Sequence, residues 1–506
     1  MAHSNSNNVA ARANETPSPQ EWEFVFRLPR ENPDASASRV LTNAQRVVLV
    51  LLLVGAVVWL MLNYIVCLTI VNGLLIAFYL VLSAYKLYLM HLSLGVPREM
   101  RFTPDEVAAL TPDELPVYSI LVPLYHETES LQRLVNGLRA LDYPPEKLDV
   151  LLLLEQDDRA TVQAVNAMTL PDFIRVVVVP DAQPKTKPKA CNVGLAMARG
   201  ECLVIYDAED RPERDQLKKA VLGFRKLPDD VICLQAKLNF YNRRQNLLTR
   251  LFTTEYSVWF DLFLPGLSDL RAPIPLGGTS NHFRTAKLRA LLGWDPFNVT
   301  EDCDLGLRIS LAGMQTVMLD TTTWEEACSS LPHWIRQRSR WTKGYIQTYL
   351  VAMRHPLRLT RMLGIGGTLA FNLMVGGTPL CLLINPIYWI LTLGWFTFQL
   401  QSVAAFFPFP IILWGLFCLF AANFVFIFAC AVATYRRGYY GLVKYALLSP
   451  LYWLLMSIGA WKGFLQLITR PSYWEKTKHG LDLIARGAPA SDVGLKGEAS
   501  DIANPQ

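Results

Sequence analysis

The sequence predicts an α/β domain inserted between transmembrane α-helices, about two before it and four after. Three observations lead there. Residues 47–85 and 364–435 carry no formal charge. Between those stretches, short β-rich runs alternate with helical patterns, as a mostly parallel sheet requires. Three of four such runs end in acidic residues, and ligands bind at the strand ends of such sheets.

Composition agrees. Hydrophobic residues make up 52% of the 506 and fall in blocks, as in membrane proteins. The net charge of +5 clusters beside the apolar blocks, a topology pattern rather than a nucleic-acid footprint, and no nucleic-acid motif is present. Nine cysteines stand singly without CxxC spacing, which reads as reduced thiols rather than a disulfide or zinc framework.

In chain order, residues 1–43 are rich in Ser, Asn, Pro and Ala and are expected to form a disordered tail. Residues 44–90 read as a transmembrane hairpin with a tight turn near Asn63 and Tyr64. Arg39 and Arg46 precede it while Lys86 and Arg98 follow, which places both ends in the cytosol. Residues 98–345 form the α/β domain, with strands expected at 117–122, 150–154, 174–179 and 203–206. Residues 332–362 mix Trp334, Trp341 and Tyr345 with Arg336, Lys343 and Arg354, as helices lying on an anionic leaflet would. Residues 363–468 are assigned to transmembrane helices. Three spans are expected in 364–435, broken near Pro386 and Pro408, and a fourth in 442–468. Arg436 and Arg437 would then face outward, against the positive-inside tendency; a re-entrant segment at 378–395 is the alternative. Residues 485–506 read as a second disordered tail.

Several clusters carry chemistry. Asp207-Ala208-Glu209-Asp210 follows a buried strand and offers oxygen ligands to a hard divalent cation shared with phosphates, or forms an acidic turn before a helix. Lys187-Pro188-Lys189 opens a helix, a place for phosphate or for an ordinary basic loop. Gly277-Gly278-Thr279-Ser280-Asn281-His282 reads as a turn shaping an acceptor pocket, with His282 either in that pocket or structural. Thr300-Glu301-Asp302 supplies carboxylates, with Asp304 structural. Gln337, Arg340 and Trp341 supply an amide, a bidentate fork and a flat face for a ring.

The order of these motifs resembles the family-2 membrane glycosyltransferases, the cellulose synthase and hyaluronan synthase relatives, over residues 116–480. The resemblance implies a GT-A fold, a UDP-sugar donor, Mg²⁺ or Mn²⁺, and inversion at the anomeric carbon. It implies Asp302 as general base, with Glu301 beside it in the catalytic pair. Asp207 would bind metal and diphosphate together with Glu209 or Asp210; the motif reads Asp-Ala-Glu where the family more often has Asp-x-Asp, so that choice stays open. Tyr125, Glu127, Glu155, Asp157 and Lys189 would surround the uridine, with the family's first aspartate role open between Glu155 and Asp157. Gln337, Arg340 and Trp341 would hold diphosphate and acceptor. Residues 469–484, with Thr477, are similar to the gating loop of cellulose synthases or are a basic juxtamembrane segment. The expected activity is extension of a β-linked polysaccharide from UDP-glucose and its passage through the membrane helices of a bacterial inner-membrane protein, with both termini cytosolic and accessory export subunits as partners. Transfer of one sugar to a lipid carrier is the alternative, and an inactive receptor or scaffold the second.

Overall fold

Among the described residues, nine strands build one sheet: β1 (Glu99–Met100), β2 (Tyr118–Leu124), β3 (Leu148–Glu155), β4 (Ile174–Val179), β5 (Cys202–Ile205), β6 (Arg211–Pro212), β7 (Val231–Phe240), β8 (Asn281–Arg284) and β9 (Gln315–Glu325). This is a computed structural model; it describes residues 14–95, 98–399, 405–471 and 473. Thr477 and most of the 469–484 segment lie outside the described residues. The strand order is β1-β9-β7-β8-β5-β2-β3-β4, with β6 on β9. β2, β3, β4 and β5 pair in parallel, while β8 runs antiparallel to β5 and β7.

The apolar run in β3 has a simple cause. Leu151 and Leu153 enter one core layer, and Val150, Leu152 and Leu154 enter the layer on the opposite face. A strand buried on both sides needs apolar residues at every position. At about 1.5–3 kcal/mol per buried side chain, this strand anchors the sheet.

Residues 15–37 are packed on the domain, which corrects the expectation of a disordered tail from residue 1 to 43. Glu15 forms a parallel bridge with Val177 at the edge strand β4, and its carboxylate pairs with Arg175 at 2.6 Å. Val25 and Leu28 are buried, and Trp22, Phe24 and Phe26 pack on the core. Further on, Ser36 Oγ donates to Asp295 at 2.9 Å, and Arg354 donates to the carbonyls of Pro33 and Asp34. Those few aromatic and aliphatic residues outweigh the polar composition around them.

Among the described residues, four segments are long and apolar enough to cross a membrane: Asn43–Leu94, Pro356–Phe398, Phe409–Arg436 and Tyr440–Thr469. The first would be about 78 Å long if straight. It breaks at Asn63 (φ −157°, ψ 83°), at the expected turn, and Asn63 Oδ1 accepts from Val66 N at 3.0 Å to cap the second half. Both outer ends touch the domain side: Gln45 Nε2 donates to Leu350 O at 2.8 Å, and Ser93 Oγ donates to Leu262 O.

The uncharged stretch 364–435 holds two long helical segments where three spans were expected. Pro386 sits inside the continuous helix Gly377–Phe398, which excludes both a break and a re-entrant turn there; the break before Phe409 falls at Pro408, as expected. The two helices are longer than the minimal twenty-residue span used in counting. As a result Arg436 and Arg437 return to the domain: Arg436 donates to Ser93 O at 2.9 Å, and Arg437 pairs with Asp261.

The last helix, Ser449–Thr469, runs beside the helix Leu331–Ala352 over most of its length. Tyr452 meets Trp334 with ring centroids 5.1 Å apart, and Pro471 O accepts from Gln347 Nε2 at 3.0 Å. Gly459 and Gly463 make the approach possible. A Cβ on Gly463 would stand 2.4 Å from Ser339 O, and one on Gly459 2.8 Å from Arg338 Cβ. Arg338 and Lys343 of the 331–352 helix point into the protein, toward Glu255 and Tyr473 O, rather than to lipid headgroups.

Candidate active site

A cavity of about 630 Å³ opens where β2, β3 and β5 end and reaches the first turns of the helix Gly377–Phe398. Its floor is the 207–210 loop. Asp210 folds back into the protein, accepting from Asp207 N at 2.7 Å and from the Thr279 hydroxyl. That leaves Asp207 and Glu209 facing the cavity, while Asp210 does not line it. Burial, reinforced by the Asp207 and Glu209 charges, holds the Asp210 carboxyl well above the usual range.

The acidic end of β3 divides into three roles. Glu155 lines the cavity and is fastened from behind by Lys189 Nζ at 2.8 Å. Lys189 is fully buried, also donates to Ala182 O at 3.1 Å, and does not line the cavity, so it positions Glu155 rather than surrounding a ligand. Asp157 does not line the cavity but pairs at 2.5 Å with Lys185, which does, and Asp158 caps the next helix by accepting from Thr161 N at 3.2 Å. Tyr125 and Glu127 line the cavity near its mouth.

Lys187 links the cluster. Its ammonium pairs with Asp207 and donates to Gly278 O at 2.7 Å. A Cβ on Gly278 would lie 3.5 Å from Asp302 Oδ2 and 4.0 Å from Lys187 Nζ, so these groups share one corner. Burial opposes the Lys187 charge, but Asp207 and Glu301 overcome it and hold the ammonium above its ordinary range.

Glu301 and Asp302 open the helix Glu301–Leu311, where the N-terminal dipole favours carboxylates. Asp302 Oδ1 accepts from Cys303 N at 2.7 Å. Burial raises the Asp302 carboxyl, opposed by Lys187 and Arg340. Burial and the Asp302 charge push Glu301 up to about 8, so near neutrality Glu301 keeps its proton. Asp304 turns away to pair with Arg308 at 2.8 Å, the structural role expected of it.

Gln337, Arg340 and Trp341 lie three and four residues apart, on one face of the 331–352 helix, and all line the cavity. Trp341 packs at 6.2 Å from Tyr256 and 6.1 Å from Phe252. His282 does not belong here. It lies on β8, hydrogen-bonded between Tyr118 Oη at 2.7 Å and Gln216 Oε1 at 3.2 Å, and burial drives its pKa down to about 3.

Other lining residues were not singled out from sequence. Glu255, Tyr256 and Trp259 come from the amphipathic 247–264 stretch, Glu325 from the end of β9, Thr378 and Leu382 from an apolar helix, and Tyr473 from the C-terminal segment. Glu255 accepts from Arg338 Nη1 at 2.7 Å and from Tyr452 Oη at 2.7 Å, which ties the last helix to the cavity wall. The amphipathic period of 247–264 could have drawn attention to the first three, and Tyr473 lies in the 469–484 segment that resembles a gating loop.

The donor set fits a divalent cation. Burial raises the Glu325 carboxyl, and Asp210, Glu209 and Asp207 raise it further, so a cation among these groups would relieve their repulsion. Among the described residues, no group of three or more His, Cys, Asp or Glu side chains forms a complete metal cage. Asp207 and Glu209 would therefore hold a hard ion jointly with substrate phosphates, the habit of Mg²⁺ in particular.

Residues 116–344 match the family described as "Glycosyltransferase like family 2". Among curated proteins, the chain is 27% identical over 255 residues to the probable glycosyltransferase YdaM of Bacillus subtilis (strain 168), covering 49% of this chain and 60% of that protein. It is 26% identical to the probable glucomannan 4-beta-mannosyltransferase 1 of Arabidopsis thaliana, covering 47% of this chain and 45% of the relative. It is also 26% identical to the beta-monoglucosyldiacylglycerol synthase of Nostoc sp., covering 47% and 50%. The chain thus spans about half the length of the curated relatives it matches. Among solved structures, the mannosyltransferase PcManGT from Pyrobaculum calidifontis, in complex with GDP-Man and Mn²⁺, superposes with a TM-score of 0.50 at 18% identity, covering 79% of this chain and 99% of that one. That likeness extends to the fold.

Proposed function

We propose that the protein, whose residues 116–344 match a family-2 glycosyltransferase model, transfers a sugar from a nucleotide-sugar donor, UDP-glucose in the first instance, to an acceptor at the membrane surface with inversion. One observation carries this reading: Asp302, Lys187 and Asp207 line one cavity together with Gln337, Arg340 and Trp341, and Arg340 lies within electrostatic reach of Asp302 and Asp207.

The nucleotide would enter past Tyr125, Glu127 and Glu155, and its diphosphate would lie between Lys187 and Arg340. Asp302 takes the proton of the acceptor hydroxyl as that oxygen bonds the anomeric carbon and the carbon–diphosphate bond breaks on the opposite side. Arg340 and Lys187 stabilise the charge gathering on the leaving diphosphate. A Mg²⁺ or Mn²⁺ ion on Asp207 and Glu209 would supply further charge neutralisation there. Protonated Glu301 spares Asp302 a second adjacent negative charge.

The same reading covers topology. The two halves of Asn43–Leu94, with 365–398 and Phe409–Arg436, make four crossings. The helix Ser449–Thr469, fastened along the domain, makes none. An even number puts both ends of the chain and the domain on one side, in the cytosol, with Arg436 and Arg437 inside as the positive-inside tendency asks. A bacterial inner membrane suits this arrangement.

The test is anomeric analysis of the product made from α-linked UDP-glucose by protein purified into nanodiscs. A β-linked product lost in Asp302→Asn, with UDP binding intact, is expected. A retained α-configuration would sink the mechanism, and unchanged biological activity in Asp302→Asn would favour the scaffold alternative.

A further inference from the structure

Tyr345 follows Trp341 by one helical turn, so Gln337, Trp341 and Tyr345 stand in a row on the 331–352 helix, and all three line the cavity. The row is held near Asp302, because the helix is clamped to the segment that leads into that residue. Asn298 Nδ2 donates to Thr348 Oγ1 at 3.0 Å, and Val299 N donates to Gln347 Oε1 at 3.3 Å. Between these contacts and Trp341, Gly344 meets Thr300 so closely that an added Cβ would stand 2.3 Å from Thr300 Oγ1. Tyr345 is the residue after Gly344, and Asp302 lies two beyond Thr300. Tyr345 also packs against the apolar cluster that includes Cys303 and Leu307, from Asp302's own helix.

Two polar atoms are left over at this junction. Asp302 Oδ1 accepts from Cys303 N at 2.7 Å, but Asp302 Oδ2, on the side of Gly278, has no hydrogen-bond partner among the described residues. The Tyr345 hydroxyl has none among them either. Glu255 lies within its electrostatic reach but is already held by Arg338 and Tyr452, at 2.7 Å each. Burial pushes the Tyr345 hydroxyl well above its ordinary range, and Cys303, Asp302 and Glu255 push it further, so it keeps its proton and can donate.

An attacking hydroxyl oxygen has four directions to account for. One bears its carbon, one points its proton at the base, and one lone pair must face the anomeric carbon. The second lone pair needs a donor, or the hydroxyl rotates about its C–O bond and the first lone pair loses its aim. We infer that Tyr345 is this donor, fixing the acceptor oxygen from the helix face beside Trp341 while Asp302 Oδ2 takes the proton. The inference rests on the reading of Asp302 as general base. In the step, the acceptor proton passes to Asp302 and the oxygen bonds the anomeric carbon. The carbon–oxygen bond to the diphosphate breaks, its electron pair leaving with the nucleotide, and Tyr345 keeps its own proton throughout. The role is the same for any acceptor that bears a hydroxyl, water included.

The test measures UDP release from UDP-glucose with Mn²⁺ by the full chain, in membrane vesicles of the producing cells and in detergent, where water is the acceptor. Tyr345→Phe keeps the ring and removes one oxygen. It should lower turnover about 10- to 100-fold in both settings, with UDP affinity and melting temperature unchanged. Tyr345→4-aminophenylalanine puts an N–H donor where the hydroxyl was and should recover most of the loss, which a merely structural role for the ring would not predict. Wild-type turnover in Tyr345→Phe, a loss matched by weaker UDP binding or a lower melting temperature, or no recovery with the amine would each overturn the inference. Failure of the underlying reading looks different. Turnover that survives in Asp302→Asn would remove the base, and no UDP release by the wild-type chain would remove transfer itself, the inference falling with either.

Discussion

Glu301→Gln isolates what the buried carboxyl beside Asp302 does to the protein. Unfolded, Glu301 ionises near its ordinary 4.5; folded, burial and the Asp302 charge push it up to about 8. Between those values the folded chain holds a proton that the unfolded chain has released. Stability therefore falls as pH rises through the window and levels off above about 8. At about 1.4 kcal/mol per pH unit, the loss reaches up to about 5 kcal/mol. Glutamine, neutral and close in shape to the protonated acid, removes it. The assay is denaturant unfolding in detergent, followed by tryptophan fluorescence, for both proteins across the range. Their stability difference should be near zero at about pH 4.5 and widen in favour of the variant up to about pH 8. A difference that stays constant with pH would refute the reasoning, because a lost contact costs the same at every pH while a raised pKa does not.

Three further outcomes follow from the geometry. Asp302→Asn should lower turnover by about 10²–10⁴-fold with nucleotide affinity kept, measured by UDP release and by equilibrium binding. Chelation should abolish transfer, and Asp207→Asn should shift the Mn²⁺ dependence of turnover upward where Asp210→Asn does not, since Asp210 faces away from the cavity; equal shifts would reverse that assignment. Gly344→Ala should cut turnover and lower the melting temperature, because its Cβ would stand 2.3 Å from Thr300 Oγ1 and force the helix bearing Arg340 away from Asp302; wild-type values in both measurements would show that the contact yields freely.

Much of the site was legible because its chemistry is local in sequence. Asp207 and Glu209 follow a buried strand, Glu301 and Asp302 open a helix, and Gln337, Arg340 and Trp341 share one helical face, so spacing alone groups each set. Whether a carboxylate faces in or out was not legible: Asp210 and Glu209 are neighbours, and only the Thr279 hydroxyl and Asp207 N decide which one turns away. His282 takes the structural of its two expected roles, and the sequence could not choose because one strand residue's side is set by partners far along the chain, Tyr118 and Gln216. Hydropathy found the last candidate span, within Tyr440–Thr469, but could not see that Ser449–Thr469 also has a protein partner along its side. Lys187 was visible within a basic loop, but its pairing with Asp207 needed the fold.

The strap at residues 15–37 has a consequence for how the chain is made. It is made well before its partners Val177, Asp295 and Arg354, and contacts of such long sequence separation form slowly. Trp22, Phe24, Val25 and Leu28 therefore wait uncovered during synthesis, while the hairpin behind them is already entering the membrane. Closure of this first segment can serve as the last act of assembly, fastening edge strand β4 to the helix-end residue Arg354 only when the whole domain between them is complete.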